Sequence, residues 1–417
     1  MLESDNQNNM HKQECNKNYW MGFVAGILVT VVLSCAAMLI VIGVTKNNSF
    51  VKTARKSQDT ESITDQSVIN KMSIVENIVR KNYWQDIDEE TLEQGVYRGI
   101  LDSLEDPYSV YYTAEELEKL REETQGIYYG IGAYISQNTD IGYAQISKVI
   151  KNTPAEESGL MQDDIIYKVN DEDMQGKDSN YVVSRIKGDE HTFVKITVIR
   201  ENEKDPIDFD VERRKIETPT VEYTMYEDNM AYIQISEFDI VTTSQFENAY
   251  EQAKKDGMKG LIIDLRSNPG GNLSTVCEIA RMILPKGLIV YTEDKYGKRE
   301  EYTCDGSHQI DVPLVVLTNG HSASASEILA GAIKDYKIGK LVGTTTFGKG
   351  IVQSVLSLSD GSAVKLTVSS YFTPNGNNIH EIGIEPDVEV EFDSEQYKNG
   401  VDNQLERGKE VLAGMMK

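Results

Sequence analysis

Two short, mainly apolar segments constrain the fold of this chain most strongly. The runs "GLIIDL" (260–265) and "VPLVVL" (312–317) are each followed by a polar loop and then by a segment with helical spacing, at 273–283 and 328–333. Such runs are typical of strands buried on both faces of a parallel sheet, with helices as the connections. An α/β core with a mixed sheet is therefore predicted.

The loops that follow these strands carry the residues most suited to chemistry. In open α/β sheets, reactive groups collect beyond the carboxyl ends of the strands. The two loops are "RSNPGG" (266–271) and "NGHSASASE" (319–327), and the second places serines at alternate positions, 322, 324 and 326, just before a helix. One of them is a candidate nucleophile, and the other two are interpreted as loop-shaping or capping residues.

A third loop, "VGTTTFGKGIVQ" (342–353), contains a lysine between two glycines. It resembles a nucleotide-binding P-loop, but Gly350 stands where a metal-binding Ser or Thr is required, and the next residues are strand-like. A lysine on a mostly apolar strand can instead lose its water and become a neutral base. A Ser–Lys pair is therefore the arrangement to test.

Histidine is the competing base. His321 and His380 could approach the serine, although no orienting carboxylate can be assigned to either of them. The sequence has no HExxH motif and no clustered Cys, His and Asp spacing, so neither a metal nor another cofactor is predicted.

Residues 126–213 consist of short β-like runs divided by turns, with one short helix-like segment, "PAEESGL". The loop "YYGIGAYI" (128–135) lacks the third glycine of a dinucleotide fingerprint and leads into a strand. Backbone N–H groups at Gly130, Ile131 and Gly132 suit capture of a peptide's C-terminal carboxylate. This region resembles a PDZ domain; a small β-domain without a ligand is the alternative.

The N-terminal part carries an uncharged run from Trp20 to Thr45, long enough to span a bilayer as one helix. A cleaved signal peptide and a lipidated Cys35 are the alternatives. Lysines and arginines are denser after the run than before it, which taken alone favours a cytoplasmic C-terminal side. Amphipathic helices and a "DPYS" turn follow, and a capping box is predicted at Thr113 and Glu116. So small a helical layer is expected to pack on a neighbouring domain or a second subunit.

These patterns predict a helical N-terminal region, a β-rich PDZ-like domain and the α/β core, behind one transmembrane helix. The predicted order is an N-terminal tail (1–19), a transmembrane anchor (20–45), a linker (46–65), the helical N-terminal region (66–125), the PDZ-like domain (126–213), the core (214–393) and a C-terminal helical extension (394–417).

Charge and cysteine content exclude several classes of function. With 42 basic and 67 acidic residues the formal net charge is −25, which argues against nucleic acid as a partner. The four cysteines form no CxxC pair, so neither a zinc site nor a disulfide framework is indicated.

Four segments together resemble the carboxyl-terminal processing (tail-specific) peptidases: "LIIDLRSNPGGNL", "HSASASEILAGAIKDY", "LVGTTTFGKGIVQ" and "YFTPNGNNIHEIGIEPDVEV". The resemblance implies that Ser324 is the nucleophile, that Lys349 is the base and that Gln353 positions the amine. The helix dipole and the glycine turn agree with this, and the N–H groups of Ala325 and Gly270 are the expected oxyanion donors.

The resemblance also concerns compartment and regulation. These enzymes generally act outside the cytoplasm, which favours an extracytoplasmic catalytic domain over the charge count. Lys187 stands where family members commonly carry arginine, which replaces a planar fork of donors with a point charge.

The function predicted from sequence is that of a single-pass, membrane-anchored serine endopeptidase. Its partners are substrates with free C-termini, captured by the PDZ-like domain, and a homodimer or larger assembly is expected. A catalytically silent PDZ scaffold that binds C-terminal peptides is the alternative.

Overall fold

The structure is a computed structural model that describes residues 62–417. The predicted tail (1–19), the predicted anchor (20–45) and linker residues 46–61 lie outside the described residues. No helix between residues 62 and 417 combines the length and the apolar character needed to cross a membrane. The described residues divide into two units between Asp88 and Glu89.

Most of the segments that the sequence predicts to be helical are helices in the structure. They are α1 Gln66–Asn82, α2 Glu89–Asp102, α3 Ala114–Gln125, α4 Pro154–Ser158, α5 Ser179–Ile186, α6 Thr242–Lys255, α7 Leu273–Arg281, α8 Ala325–Tyr336, α9 Ser394–Lys398 and α10 Asn403–Met415. The predicted capping box is confirmed, because the Thr113 side chain accepts from the Glu116 N–H while the Glu116 side chain accepts from the Thr113 N–H.

Strands form the second set of elements. They are β1 Val110–Tyr112, β2 Ile127–Gly130, β3 Ala133–Asn138, β4 Tyr143–Val149, β5 Ile165–Val169, β6 Glu172–Asp173, β7 Phe193–Ile199, β8 Ile207–Glu212, β9 Arg214–Glu217, β10 Val221–Tyr226, β11 Met230–Ile235, β12 Gly260–Asp264, β13 Gly287–Asp294, β14 Arg299–Cys304, β15 Leu314–Thr318, β16 Lys340–Gly343, β17 Ile351–Ser357, β18 Ala363–Phe372 and β19 Val388–Glu389.

The α/β core is confirmed, and its main sheet is mixed. Its strand order is β10-β11-β12-β15-β16-β19, with β10 antiparallel to β11 and the remaining neighbours parallel. Every residue of β12 and β15 is buried, as their apolar sequences predict. Helices α6, α7 and α8 contribute to the hydrophobic cluster on one face, and Leu412 of α10 to that on the other.

A second, antiparallel sheet has the order β1-β18-β13-β14, and β17 also pairs with β18. Strand β1 follows the "DPYS" turn and pairs with β18, so this turn lies beside the strands that follow the lysine loop. The position of this turn was not predicted from the sequence.

The PDZ-like region forms its own antiparallel sheet, β3-β4-β5-β7-β8, with β6 paired to β5. Strands β2 and β9 pair with each other at its border. The "PAEESGL" segment is helical, as predicted, and the strand β3 follows the glycine loop where a dinucleotide site requires a helix. The apolar side chains of this sheet form a separate core around Ile146, Ile166 and Ile196.

Candidate active site

Ser324 lies at the junction between the loop after β15 and the first residue of α8. Its backbone has φ +54° and ψ −112°, a conformation that a non-glycine residue rarely adopts. The turn places the side chain at the helix N-terminus, where the free N–H groups and the dipole favour negative charge. The residue is half-buried and lines a cavity of about 570 Å³.

The neighbouring serines have structural roles. Both are fully buried, and their hydroxyls hydrogen-bond the loop after β12: Ser322 donates to the Leu265 carbonyl at 2.7 Å, and Ser326 donates to the Asn268 carbonyl at 3.0 Å. The interpretation of these two serines as loop-shaping residues is confirmed. Ser324 is the serine of the three that lines the cavity.

Lys349 lines the same cavity, two residues before β17 begins. Burial lowers the pKa of its amine below the usual value, and the positive charge of Lys365 lowers it further, while Asp106 and Glu327 act in the opposite direction. The amine lies over the ring of Tyr108, 4.4 Å from its centroid. Among residues 62–417 it makes no hydrogen bond to the Ser324 hydroxyl.

Tyr108 and Asp106 belong to the "DPYS" turn. The sequence analysis did not predict that this turn contributes to the site. Asp106 accepts hydrogen bonds from the Ser109 hydroxyl at 2.6 Å and from the Tyr108 N–H at 3.0 Å. The Ser109 hydroxyl in turn accepts from the Thr367 N–H in β18 at 3.1 Å. This chain of bonds fixes an aromatic ring and a carboxylate beside the lysine.

Glu327 is a third residue of the site that the sequence analysis missed. It is fully buried, and its Oε2 accepts from the N–H of Ser324 at 2.8 Å and from the N–H of Lys349 at 2.8 Å. Its Oε1 accepts from the Gly348 N–H at 2.7 Å and from the Thr346 hydroxyl at 2.6 Å. One carboxylate thus joins the backbones of the serine and lysine loops. The S-x-x-E spacing of a capping box was the available signal.

The carbonyl of Ser324 is also held. The Tyr371 hydroxyl, on a side chain that is fully buried at the end of β18, donates to it at 3.0 Å. With Glu327 on the N–H and Tyr371 on the carbonyl, both polar backbone groups of this strained residue are fixed.

Gln353 lines the cavity but contacts another partner. Its amide donates to the Thr367 hydroxyl at 3.1 Å. Lys349 precedes β17, and a register shift lies between Val352 and Gln353, so strand alternation alone does not relate Gln353 to the lysine. The positioning role of Gln353 stays a prediction.

The expected oxyanion donors differ in their present hydrogen bonds. A Cβ added to Gly270 would lie 2.8 Å from the Ser324 Cβ, so this glycine passes directly beside the serine. However, its N–H donates to the Asn268 side chain at 2.8 Å. The N–H groups of Ala325 and Gly271 have no partner among residues 62–417. The Ala325 N–H is therefore free to act, whereas Gly270 would have to exchange its partner.

The predicted carboxylate-binding loop lies in the PDZ-like region, and Gly130, Ile131 and Gly132 are all buried. The carbonyls of Ile131 and Gly132 accept hydrogen bonds from the N–H groups of Ala155 and Ile150, respectively. The N–H groups of Ile131 and Gly132 themselves have no hydrogen-bond partner among residues 62–417. These two N–H groups agree with the predicted role.

Lys187 links this region to α3. Its amine lies 2.6 Å from the Glu122 carboxylate and 5.4 Å from the centroid of the Tyr128 ring. Lys187 therefore forms an ion pair with the helix that borders the cavity containing Ser324 and Lys349.

Neither histidine alternative lines the cavity that contains Ser324 and Lys349. His321 is exposed, and neither it nor His380 is among the residues that line the cavity. Within residues 62–417, no cluster of His, Cys, Asp and Glu side chains is arranged to hold a metal ion.

Comparisons with known proteins give the family. The models "Peptidase family S41", "PDZ domain" and "Activating protease CtpB N-terminal domain" match residues 229–390, 119–199 and 31–116. Among solved structures, the photosystem II D1 C-terminal processing protease covers 77% of this chain and 86% of its own, at 30% identity and a TM-score of 0.46.

Two curated relatives match most of the chain. A probable CtpA-like serine protease of Staphylococcus aureus (strain COL) is 36% identical over 82% of this chain and 68% of its own length. The carboxy-terminal processing protease CtpA of Bacillus subtilis (strain 168) is 34% identical over 88% of this chain and 76% of its own. The chain belongs to peptidase family S41 and is a serine-type peptidase that carries a PDZ domain.

Proposed function

We propose that this chain is an endopeptidase that cleaves proteins near their C-termini with a Ser324–Lys349 dyad. One observation carries the proposal: the two side chains line one cavity, and the buried Glu327 carboxylate joins their backbones. The Bacillus subtilis relative is named a carboxy-terminal processing protease, which supports this activity.

The chemistry follows from the charges around the dyad. A neutral Lys349 amine takes the proton of the Ser324 hydroxyl as the oxygen attacks the peptide carbonyl. The Ala325 N–H and an N–H of the 270–271 turn then stabilise the negative oxygen. Because the amine now rests on the Tyr108 ring, catalysis requires it to swing from the ring to the hydroxyl.

Recognition and location complete the proposal. The N–H groups of residues 130–132 bind the carboxylate of the substrate's C-terminus, which raises the local concentration of substrate at the cavity.

Residues 20–45 anchor the chain in the membrane, with the catalytic domain outside the cytoplasm. A topology reporter fused after Lys417 should be active only outside the cytoplasm, and activity inside would reverse this orientation.

Labelling and mutation test the dyad. A fluorophosphonate should label Ser324, and Ser324→Ala, Lys349→Ala and Lys349→Arg should each abolish cleavage, since arginine stays charged. Gln353→Ala should cause a smaller loss. Activity that survives in Lys349→Ala but is lost in His321→Ala would assign the base to histidine.

A catalytically silent PDZ scaffold is the second candidate, from the class of binding modules. It predicts no labelling of Ser324 but unchanged binding of C-terminal peptides in the Ser324→Ala variant. Labelling at Ser324 together with cleavage that Ser324→Ala abolishes would exclude it.

A further inference from the structure

Three carboxylates line the cavity that also contains Ser324 and Lys349. They are Glu123 on α3 and Glu237 and Asp239 in the loop after β11. None of the three side chains has a hydrogen bond or an ion pair within residues 62–417. The peptidase mechanism described above uses none of them.

Backbone contacts place two of these carboxylates beside the reaction centre. The Phe238 N–H donates to the Gly270 carbonyl at 2.8 Å, and the Asn272 N–H donates to the Phe238 carbonyl at 2.7 Å. Phe238 therefore pairs with the glycine turn that passes next to the serine. Since extended residues alternate in direction and Phe238 is fully buried in the core, Glu237 and Asp239 share the opposite side.

Asp239 is the most unusual of the three. It is 5% exposed, yet its carboxylate has no partner and lines the cavity. Burial, followed by the negative charges of Glu237 and Glu123, raises its pKa to about 7. Buried carboxylates are ordinarily paired, so this carboxylate is suited to bind a cationic group that enters the cavity. The three are not arranged to hold a metal ion.

We infer that Glu123, Glu237 and Asp239 form a substrate subsite that binds a lysine or arginine side chain of the peptide near the scissile bond. The inference rests on the proposed peptidase function. A cationic side chain can pair with Asp239, and the two more exposed carboxylates attract it into the cavity. An apolar side chain at the same place leaves that buried carboxylate unpaired.

The test compares peptides that differ at one position. Peptides with lysine, norleucine or glutamate at each position around the cleaved bond are supplied to the full chain, and kcat/KM is measured. Lysine should be preferred over norleucine at one position by about tenfold or more, the ratio that 1.4 kcal/mol produces. Asp239→Asn should remove most of this preference, and Glu237→Gln part of it.

A matched control separates the subsite from net charge. Glu247→Gln removes one charge from an exposed residue of α6 that does not line the cavity, and it should leave the preference unchanged. Equal kcat/KM for lysine and norleucine at every position, or an equal loss in Glu247→Gln, overturns the inference.

Binding to the Ser324→Ala variant keeps the inference testable without cleavage. The Kd of lysine and norleucine peptides should differ in that variant and converge when Asp239→Asn is added. Absence of Ser324-dependent cleavage with a retained lysine preference in Kd would refute the proposed function and keep the subsite. Cleavage that depends on Ser324, with no preference for lysine over norleucine in kcat/KM or in Kd, would support the proposed function and refute the subsite.

Stability provides a check on folding of the Asp239→Asn variant. The folded-state pKa of Asp239, about 7, lies above the ordinary value of 3.8, so its ionisation opposes folding at higher pH. Glu123 and Glu237 face it, and Lys349 and Lys365 line the same cavity. Asp239→Asn should raise Tm at pH 8, and the gain should vanish as pH falls toward 4. A lower Tm at pH 8 would show that the carboxylate has a stabilising partner and would overturn the inference.

Discussion

Replacing Glu327 with glutamine tests whether its carboxylate holds the serine and lysine loops together. The carboxylate accepts four hydrogen bonds, from the N–H groups of Ser324, Gly348 and Lys349 and from the Thr346 hydroxyl. A glutamine keeps the shape but has one acceptor oxygen, so its NH2 group must face some of these donors.

The structure gives the magnitude. The better orientation turns the NH2 group toward Thr346 and Gly348, because a hydroxyl can become an acceptor. The buried Gly348 N–H then loses its partner at a cost of about 1–3 kcal/mol. The bonds to Ser324 and Lys349 lose their charge assistance, about 0.5–1.5 kcal/mol each. The total, about 2–6 kcal/mol, is smaller than the free energy of unfolding of most domains, about 5–15 kcal/mol, so the variant should fold.

Urea unfolding and peptide cleavage measure the two consequences. Glu327→Gln should lower the free energy of unfolding by this amount and reduce kcat/KM by about 100-fold or more, since 2.7 kcal/mol of lost positioning corresponds to that factor. The matched control is Asp164→Asn. It removes the negative charge of a buried carboxylate and so weakens its ion pair with Arg200 in the PDZ-like domain.

The control should lose stability while it keeps most activity on a short peptide. Glu327→Gln with activity within about twofold of wild type would refute the positioning role. An equal loss of activity in Asp164→Asn would attribute the effect to general destabilisation.

Two further predictions concern the dyad. Because the neutral Lys349 amine is the proposed base, kcat/KM should rise as the pH passes through the lowered pKa of this amine. Lys365→Gln removes a like charge, so it should raise that pKa and shift the rise to higher pH. Asp106→Asn removes an opposite charge and should shift the rise to lower pH. Shifts in the same direction, measured as pH–rate profiles, would contradict the assignment. Ser324→Gly relieves the strained backbone at φ +54°. Its free energy of unfolding in urea should therefore exceed that of Ser324→Ala by about 1–3 kcal/mol. Equal values would show that the turn stores no strain.

Local patterns were sufficient for many of the secondary-structure elements. The buried strands β12 and β15, the capping box at Thr113 and the strand after the lysine loop all agree with predictions from hydrophobic period and turn chemistry. These features depend on neighbours within a few residues. The family followed from short motifs, and the comparisons confirm it.

Several features of the site depended on tertiary structure. Tyr108 reaches Lys349 because β1 pairs with β18, and no local pattern encodes this pairing. Gly270 borders the serine because the loops after β12 and β15 meet, a contact between segments that are about fifty residues apart in the chain.

The sequence by itself determined the α/β core, the PDZ-like domain and the serine and lysine motifs, because periodicity and short motifs are local properties. Only the tertiary structure decided which charges surround the reaction centre. Asp239 is an ordinary loop carboxylate in the sequence, and it becomes a buried, unpartnered group of the cavity when Phe238 pairs with the glycine turn. The physical reason is that burial and electrostatic environment are properties of segments brought together from distant parts of the chain.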